Sequence, residues 1–170
     1  MITSKKNKHD KEGSVQQVSN LLALDQSSKV SGYAVFRDNS LLAHGVIELK
    51  DRNLGIRLKK LRDIVSELID KYEIDRILIE DIQHQKNVTG SVVTFKVLAE
   101  VIGVLEELFT EKKIQYFLVP SVTWRSDLKF KSKVRKDQKA EAQSYVLTHY
   151  GIEATEDECD AICIGAYGLS

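Results

Sequence analysis

VSNLLALDQSSKVSGYAVFRDNSLLAHGVIEL, residues 18–49, is the part of this 170-residue chain that constrains its fold most strongly. Its first run, residues 18–25, is short and apolar and ends in an acid, which is typical of a buried strand. Two β-rich runs follow at residues 29–37 and 41–49, with the turn signal DNS between them. The fold is therefore predicted to begin with a strand and an antiparallel hairpin.

The rest of the chain alternates predicted helices and strands. They are a helix, a strand, a long helix, a strand and three helices, at residues 54–73, 74–81, 87–113, 114–120, 121–128, 136–151 and 155–168. The long helix is apolar on most of its sides, so we expect the sheet and a second cover, such as a partner subunit, to bury it. Three antiparallel strands followed by β-α-β alternation predict the α/β class, with a mixed five-stranded sheet flanked by helices.

The composition, 42% hydrophobic and 29% charged, is that of a soluble globular protein. We predict a flexible polar tail at residues 1–17 and one folded domain at residues 18–170. No apolar run approaches the roughly 20 residues that span a membrane, and the N-terminus lacks the apolar core of a secretory signal. Cys159 and Cys163 lie four apart on a predicted helix, a geometry poorly suited to a disulfide, so we expect both to be buried and reduced. These features favour a cytoplasmic protein with no membrane partner.

The net charge is zero, but the charges are unevenly distributed. Residues 125–139 carry seven basic and two acidic side chains, and residues 152–160 carry five acidic and no basic ones. Such neighbouring segments suit a site that holds a polyanion together with cations. Two separate solvated faces would give the same pattern.

Four carboxylates are candidates for a shared site. Asp25 ends the first strand, and Glu80 ends the strand after the first helix. Parallel neighbouring strands would place both acids at one edge of the sheet. Asp157 and Asp160 lie three apart on one face of the last helix, which can cover that edge. Mg²⁺ prefers oxygen ligands, and two such ions about 4 Å apart can support phosphodiester cleavage.

Each acid taken singly also has an ordinary structural explanation. Asp25 could cap a turn, and Glu156 or Asp157 could cap the last helix. Asp81, Glu156 and Glu158 are expected to be solvent-facing or supporting charges. The group as a whole, in this topology, favours metal binding.

Three stretches, in order, resemble the motifs of the RuvC family of Holliday junction resolvases. They are LALDQSSKVSGYAV, ILIEDIQHQKNVTGSVV and DECDAICIGAYG, and the resemblance spans about residues 20–168. The positions that match the motifs are Asp25, Gly32, Tyr33, Glu80, Lys86, Asn87, Asp157, Asp160 and Ala161. The departures from these motifs resemble those of divergent members carried by bacteriophages, so the expected setting is a bacterial cell or a phage-infected host.

The resemblance implies an RNase H-like fold, a homodimer and Mg²⁺-dependent nicking of four-way DNA junctions, the reaction of a crossover junction endodeoxyribonuclease. Two Mg²⁺ ions, for which Mn²⁺ can substitute, are then bound by Asp25, Glu80, Asp157 and Asp160. The family also places a catalytic lysine in the helix before the last one. Lys139 holds that position, and Lys136 is close enough to compete. A solvated charge or a phosphate contact is the alternative role of either lysine.

DNA contacts are expected from the basic segment and from the positions that follow Glu80. Phosphate contacts by basic side chains would position a duplex arm without reading its sequence. The predicted DNA-binding residues are Gln83, His84, Lys86, Arg125, Lys129, Lys131, Lys133, Arg135 and Lys136. Trp124 and Tyr116 are expected to pack in the core rather than to stack on bases.

Three features of the sequence depart from the family's pattern. Gln83 stands where bacterial members commonly carry an aromatic wedge. Gln26-Ser27 replaces a Pro-Gly pair after the first Asp, and a basic residue expected after Pro120 is offset to Arg125. Because Gln83 and the following His84 do not supply the same stacking surface, the resemblance does not predict junction opening or base preference for this chain.

Three functions remain open at this point. The first is a metal-dependent nuclease that nicks four-way junctions and other branched DNA. The second is a non-catalytic junction-binding module on the same fold, against which the presence of all four acids argues. The third is an RNase H-like nuclease that acts on forks or RNA–DNA hybrids.

Overall fold

The computed structural model describes residues 19–83 and 91–170, apart from the side chain of Ser91. The predicted tail at residues 1–17 lies outside the described residues, as do His84 and Lys86. The division into a tail and one domain therefore stays a prediction.

A five-stranded sheet forms the centre of the fold. The strands are β1 (Asn20–Asp25), β2 (Val30–Arg37), β3 (Ser40–Glu48), β4 (Arg76–Asp81) and β5 (Gln115–Pro120). They lie in the order β3-β2-β1-β4-β5, with β1–β2 and β2–β3 antiparallel and β1–β4 and β4–β5 parallel. The predicted mixed five-stranded sheet is confirmed.

The β2–β3 hairpin shows why the turn signal was informative. Asp38 and Asn39 both adopt positive φ angles, 47° and 67°. Two consecutive residues in the left-handed region are what a type I′ turn requires, and Asp and Asn tolerate that region well. The turn therefore closes the hairpin at the predicted position.

Helices cover both faces of the sheet. They are α1 (Leu54–Tyr72), α2 (Ser91–Glu111), α3 (Ser121–Asp127), α4 (Arg135–Tyr150) and α5 (Glu156–Tyr167). Leu22 and Leu24 of β1 point into the core formed with α1 and α2, whereas Leu21 and Ala23 point into the core formed with the other three helices. Because β1 is buried on both faces, its sequence is a continuous apolar run rather than an alternating one.

Helix α2 is less buried than its composition suggested. Val101, Leu105 and Leu108 are fully buried against the sheet. Val92 and Val93 near its N-terminus are 55% and 67% exposed. The face against the sheet is buried as expected. The described residues supply no second cover for the first turn, so cover by a partner subunit stays a prediction.

Both cysteines lie on α5 as free, buried thiols. Burial raises the pKa of the Cys159 thiol to about 11 and that of Cys163 further still. The prediction that they are buried and unpaired is confirmed. Within residues 19–83 and 91–170, none of the helices combines the length and apolarity that a membrane span requires.

Candidate active site

The parallel pairing of β1 and β4 brings two of the candidate acids together. Leu24 pairs with Ile79, so Asp25 and Glu80 are the next residues at the same edge of the sheet. This confirms the expectation that the two strands are parallel neighbours. The Gln26 side chain extends the pairing: its Nε2 donates to the Glu80 carbonyl (2.5 Å), and its Oε1 accepts from the Glu80 N–H (3.2 Å).

The N-terminus of α5 carries the other two acids to the same edge. Its cap is Thr155, which forms a capping box with Glu158, so neither Glu156 nor Asp157 caps the helix as the alternative explanation held. Glu158 also pairs with His44 of β3 (2.8 Å), which ties the start of α5 to the sheet. The Asp157 carboxylate is therefore not used as a helix cap and can face the site.

A close approach at Gly32 fixes the distance between α5 and the sheet. Gly32 pairs with Asp25 across β1 and β2. A Cβ atom at Gly32 would lie 1.9 Å from the backbone carbonyl oxygen of Asp157. Only glycine therefore lets the helix come this near to Asp25.

All four candidate acids line one cavity of about 670 Å³ at this edge of the sheet. The carboxylates are those of Asp25, Glu80, Asp157 and Asp160. Asp81, expected to be a solvent-facing or supporting charge, is half-buried and also lines the cavity. The arrangement gathers oxygen donors from three separate elements, β1, β4 and α5.

Two protein donors engage the carboxylates. The Lys139 ammonium group of α4 contacts Asp160, which is only 3% exposed. The Trp124 indole Nε1 donates to Glu80 Oε2 (2.9 Å). Of the two candidate lysines, Lys139 lines the cavity, whereas Lys136 is exposed.

The crowding of negative charge perturbs the acids. Burial, reinforced by the charges of Glu80 and Asp160, raises the pKa of Asp25 from 3.8 to about 8. Burial also raises the pKa of Glu80 despite the Trp124 hydrogen bond, and raises that of Asp160 despite Lys139. For Lys139, burial acts to lower the pKa, but the charge of Asp160 raises it above its usual value.

Within the described residues, no group of three or more His, Cys, Asp or Glu side chains is arranged as a ready-made metal site. Two of the four carboxylates each have one oxygen engaged by a protein donor. One oxygen of Asp160 is taken by Lys139, and one oxygen of Glu80 is taken by Trp124. A cation in this cavity would compete with the Lys139 ammonium group for Asp160.

Basic side chains also line the cavity. Arg125, Lys133 and Arg135 line it together with Lys139, while Lys129, Lys131 and Lys136 are exposed on the same segment. The Arg125 guanidinium also lies over the Trp124 ring, 4.6 Å from its centroid. Gln83 is exposed and lines the cavity, and the other two predicted DNA contacts of that stretch, His84 and Lys86, lie outside the described residues.

Sequence reasoning missed the contacts that Trp124 and Gln26 make with Glu80. Trp124 was expected in the core, and it is fully buried there, but its polar edge reaches the site. Gln26 was noted only as a departure from a motif. A buried amide next to a strand-end acid was the available signal, since buried polar groups need partners.

Comparison with known proteins gives a family. Residues 21–166 match the family model described as "Crossover junction endodeoxyribonuclease RuvC". A protein of that name from Aliivibrio fischeri (strain MJ11) is 34% identical over 71 residues, which are 39% of this chain and 41% of the relative. The alignment thus spans less than half the length of this curated relative.

Solved structures share the fold at low sequence identity. The T. thermophilus RuvC in complex with a Holliday junction substrate matches with a TM-score of 0.70 and 12% identity, covering 89% of this chain and 92% of that one. The yeast mitochondrial Holliday junction resolvase matches with a TM-score of 0.57 and 17% identity, covering 92% and 80%. These likenesses confirm the RNase H-like fold.

Proposed function

Because the chain belongs to the RuvC family of crossover junction endodeoxyribonucleases, we propose that it is a metal-dependent endonuclease that nicks four-way DNA junctions. The observation that carries the proposal is the convergence of four carboxylates on one cavity that basic side chains also line. The proposed enzyme is a single domain, residues 18–170, acting on DNA in a bacterial cell or a phage-infected host.

A divalent cation fits the donor set of the cavity. Carboxylate oxygens are the ligands that Mg²⁺ prefers, and Mn²⁺ accepts the same ligands. Burial, reinforced by the charges of Glu80 and Asp160, raises the pKa of Asp25, and a bound cation would favour its ionised form. The residues that would hold two ions are Asp25, Glu80, Asp157 and Asp160.

When bound, the ions would activate a water molecule and stabilise the leaving oxygen of the phosphodiester. The protein's own part is to fix the ligands on the edge of β1 and β4 and on α5. Lys139 holds a positive charge beside Asp160 that can contact the phosphate undergoing cleavage. Arg125, Lys133 and Arg135 would position the DNA backbone over the cavity.

The proposed assembly is a homodimer. A four-way junction is nearly two-fold symmetric, and a two-fold dimer would present one cavity to each of two equivalent strands. The exposed Val92 and Val93 of α2 make this helix the candidate interface.

Cleavage of a labelled, immobile four-way junction in Mg²⁺ tests the proposal, with linear duplex, fork and RNA–DNA hybrid as parallel substrates. We expect symmetric nicks in the junction that vanish in Asp25→Asn and in EDTA. Binding without cleavage would favour the junction-binding module and contradict the nuclease. Cleavage of the hybrid or fork alone would retain the carboxylate chemistry and overturn the junction as substrate.

A further inference from the structure

Two buried side chains hold Glu80 in place from different directions. We propose that Trp124 and Gln26 are positioning residues that fix Glu80 for metal binding, Trp124 through its carboxylate and Gln26 through its backbone. The proposal deepens and rests on the proposed function, because it takes Glu80 as a metal ligand. Neither residue is itself assigned a contact with metal or DNA.

Trp124 presents a rigid donor to the Glu80 carboxylate. Its side chain is fully buried, and the ring of Phe130 packs edge-on against it at a centroid distance of 5.6 Å. The indole N–H has to find an acceptor when it is buried, and it finds Glu80 Oε2 at 2.9 Å. A carboxylate has two oxygens, so Oε1 can bind a cation while Oε2 accepts from the indole.

Gln26 acts on the backbone of the same residue. Its amide both donates to the Glu80 carbonyl and accepts from the Glu80 N–H, as a partner strand would. The side chain is 6% exposed, so these bonds are sheltered from water. They hold the end of β4 against β1 one step beyond the Leu24–Ile79 pair, where Asp25 and Glu80 must stay side by side. Gln26, which departs from the family's Pro-Gly pattern, thus has a proposed role in holding Glu80 beside Asp25.

The two contacts act on different parts of Glu80. The Trp124 hydrogen bond restricts a side chain with three rotatable bonds, and the Gln26 bonds fix the backbone from which that side chain projects. A metal site requires its ligands to be held within about 0.5 Å of the binding geometry. Partners that orient a ligand in this way typically contribute about 10–100-fold to metal affinity. A purely structural role in the core would instead change stability and leave metal affinity as it is.

The test is a calorimetric titration of the DNA-free protein with Mn²⁺ alone, which measures the affinity for Mn²⁺. Trp124→Phe keeps an aromatic ring and removes the N–H, and Gln26→Leu removes the amide. Asn20→Leu is the matched control, because Asn20 is also 6% exposed and its Nδ2 donates to the Glu73 carbonyl (3.1 Å) at the other end of β1. We expect Mn²⁺ affinity to fall about 10–100-fold in the two test variants and less than about 2-fold in the control.

A second measurement does not depend on the folding of either variant. Trp124 is the only tryptophan of the chain, so ¹⁵N-labelled protein gives a single indole N–H resonance. We expect Mg²⁺ to shift this resonance in the wild type and not in Glu80→Gln.

The outcomes separate this inference from the proposed function. If the protein cuts junctions, wild-type Mn²⁺ affinity in both test variants would overturn both positioning roles and leave the proposed function intact. An indole resonance that does not respond to Mg²⁺ would overturn the role of Trp124. A wild-type protein that neither binds Mn²⁺ nor cuts junctions would overturn the proposed function and the inference with it.

Discussion

Asp25 is an acid of the cavity whose pKa is strongly raised. Its pKa is raised from 3.8 to about 8 by burial and by the neighbouring carboxylates. Between these values the folded state holds a proton that the unfolded chain has released. The stabilising contribution of Asp25 is therefore fully present below about pH 4 and is lost as the pH rises through about 8.

We predict that metal-free protein loses more stability between pH 5 and pH 8.5 than Asp25→Asn does. Asparagine keeps the shape of the side chain but does not titrate, so this part of the pH dependence disappears. Urea unfolding in EDTA at several pH values measures the difference. Parallel stability profiles for the two proteins would contradict the raised pKa.

Gly32 is the residue that sets the approach of α5 to the sheet. We predict that Gly32→Ala destabilises the protein by about 1–3 kcal/mol, because the new methyl group overlaps the Asp157 backbone. Junction cleavage should fall as well, since Asp157 moves with the helix.

Gly103→Ala is the control for this prediction. An added Cβ at Gly103 meets no atom within 4 Å, and in a helix interior alanine is favoured over glycine by about 1 kcal/mol. Chemical denaturation should therefore show changes of opposite sign for the two variants. Equal effects would mean that the contact at Gly32 is not tight.

Helix α2 exposes two neighbouring valines at its N-terminal end, where Val92 and Val93 are 55% and 67% exposed. We predict that Val93→Glu, at a position that is 67% exposed, dissociates the proposed dimer. Leu147→Glu is the matched control, since Leu147 is 50% exposed on α4. Sedimentation velocity at micromolar concentration measures the change. A wild-type protein that is monomeric in this range would contradict the dimer.

The segment between α3 and α4 is the element expected to meet the DNA backbone. Lys133→Ala should weaken junction binding. It should also make the fall of log K with log[salt] less steep by about 1, as the loss of one phosphate contact does. The exposed Lys60 of α1 serves as the control position. Equal salt slopes for Lys133→Ala, Lys60→Ala and the wild type would remove this segment from the interface.

Most elements could be predicted from the sequence because their signals are local. Residues 20–25 are a continuous apolar run ended by an acid, and the hairpin has a turn that suits positive φ angles. The exposed start of α2 could not be predicted. An apolar composition shows that a helix has surface to bury, but it does not show which neighbouring element buries it. The contact between Trp124 and Glu80 depends on how α3 docks against β4, which no local pattern encodes.

At the scale of the whole molecule, the sheet order accounts for the candidate site. Placing β1 between β2 and β4 puts Asp25 next to Glu80, and α5 crosses the same edge to add Asp157 and Asp160. The four acids were expected together from the sequence. Lys139 was expected near them through the family resemblance, and it contacts Asp160. The contact of Trp124 with Glu80 was not expected, because only the complete fold brings α3 near β4.

The anomalous scattering of crystals soaked in Mn²⁺ tests the four-carboxylate metal site most directly. We predict anomalous difference peaks inside the cavity, among the carboxylates of Asp25, Glu80, Asp157 and Asp160. An ordered cavity without such a peak at saturating Mn²⁺, or peaks confined to surface carboxylates elsewhere, would contradict the claim that these four acids form one metal site.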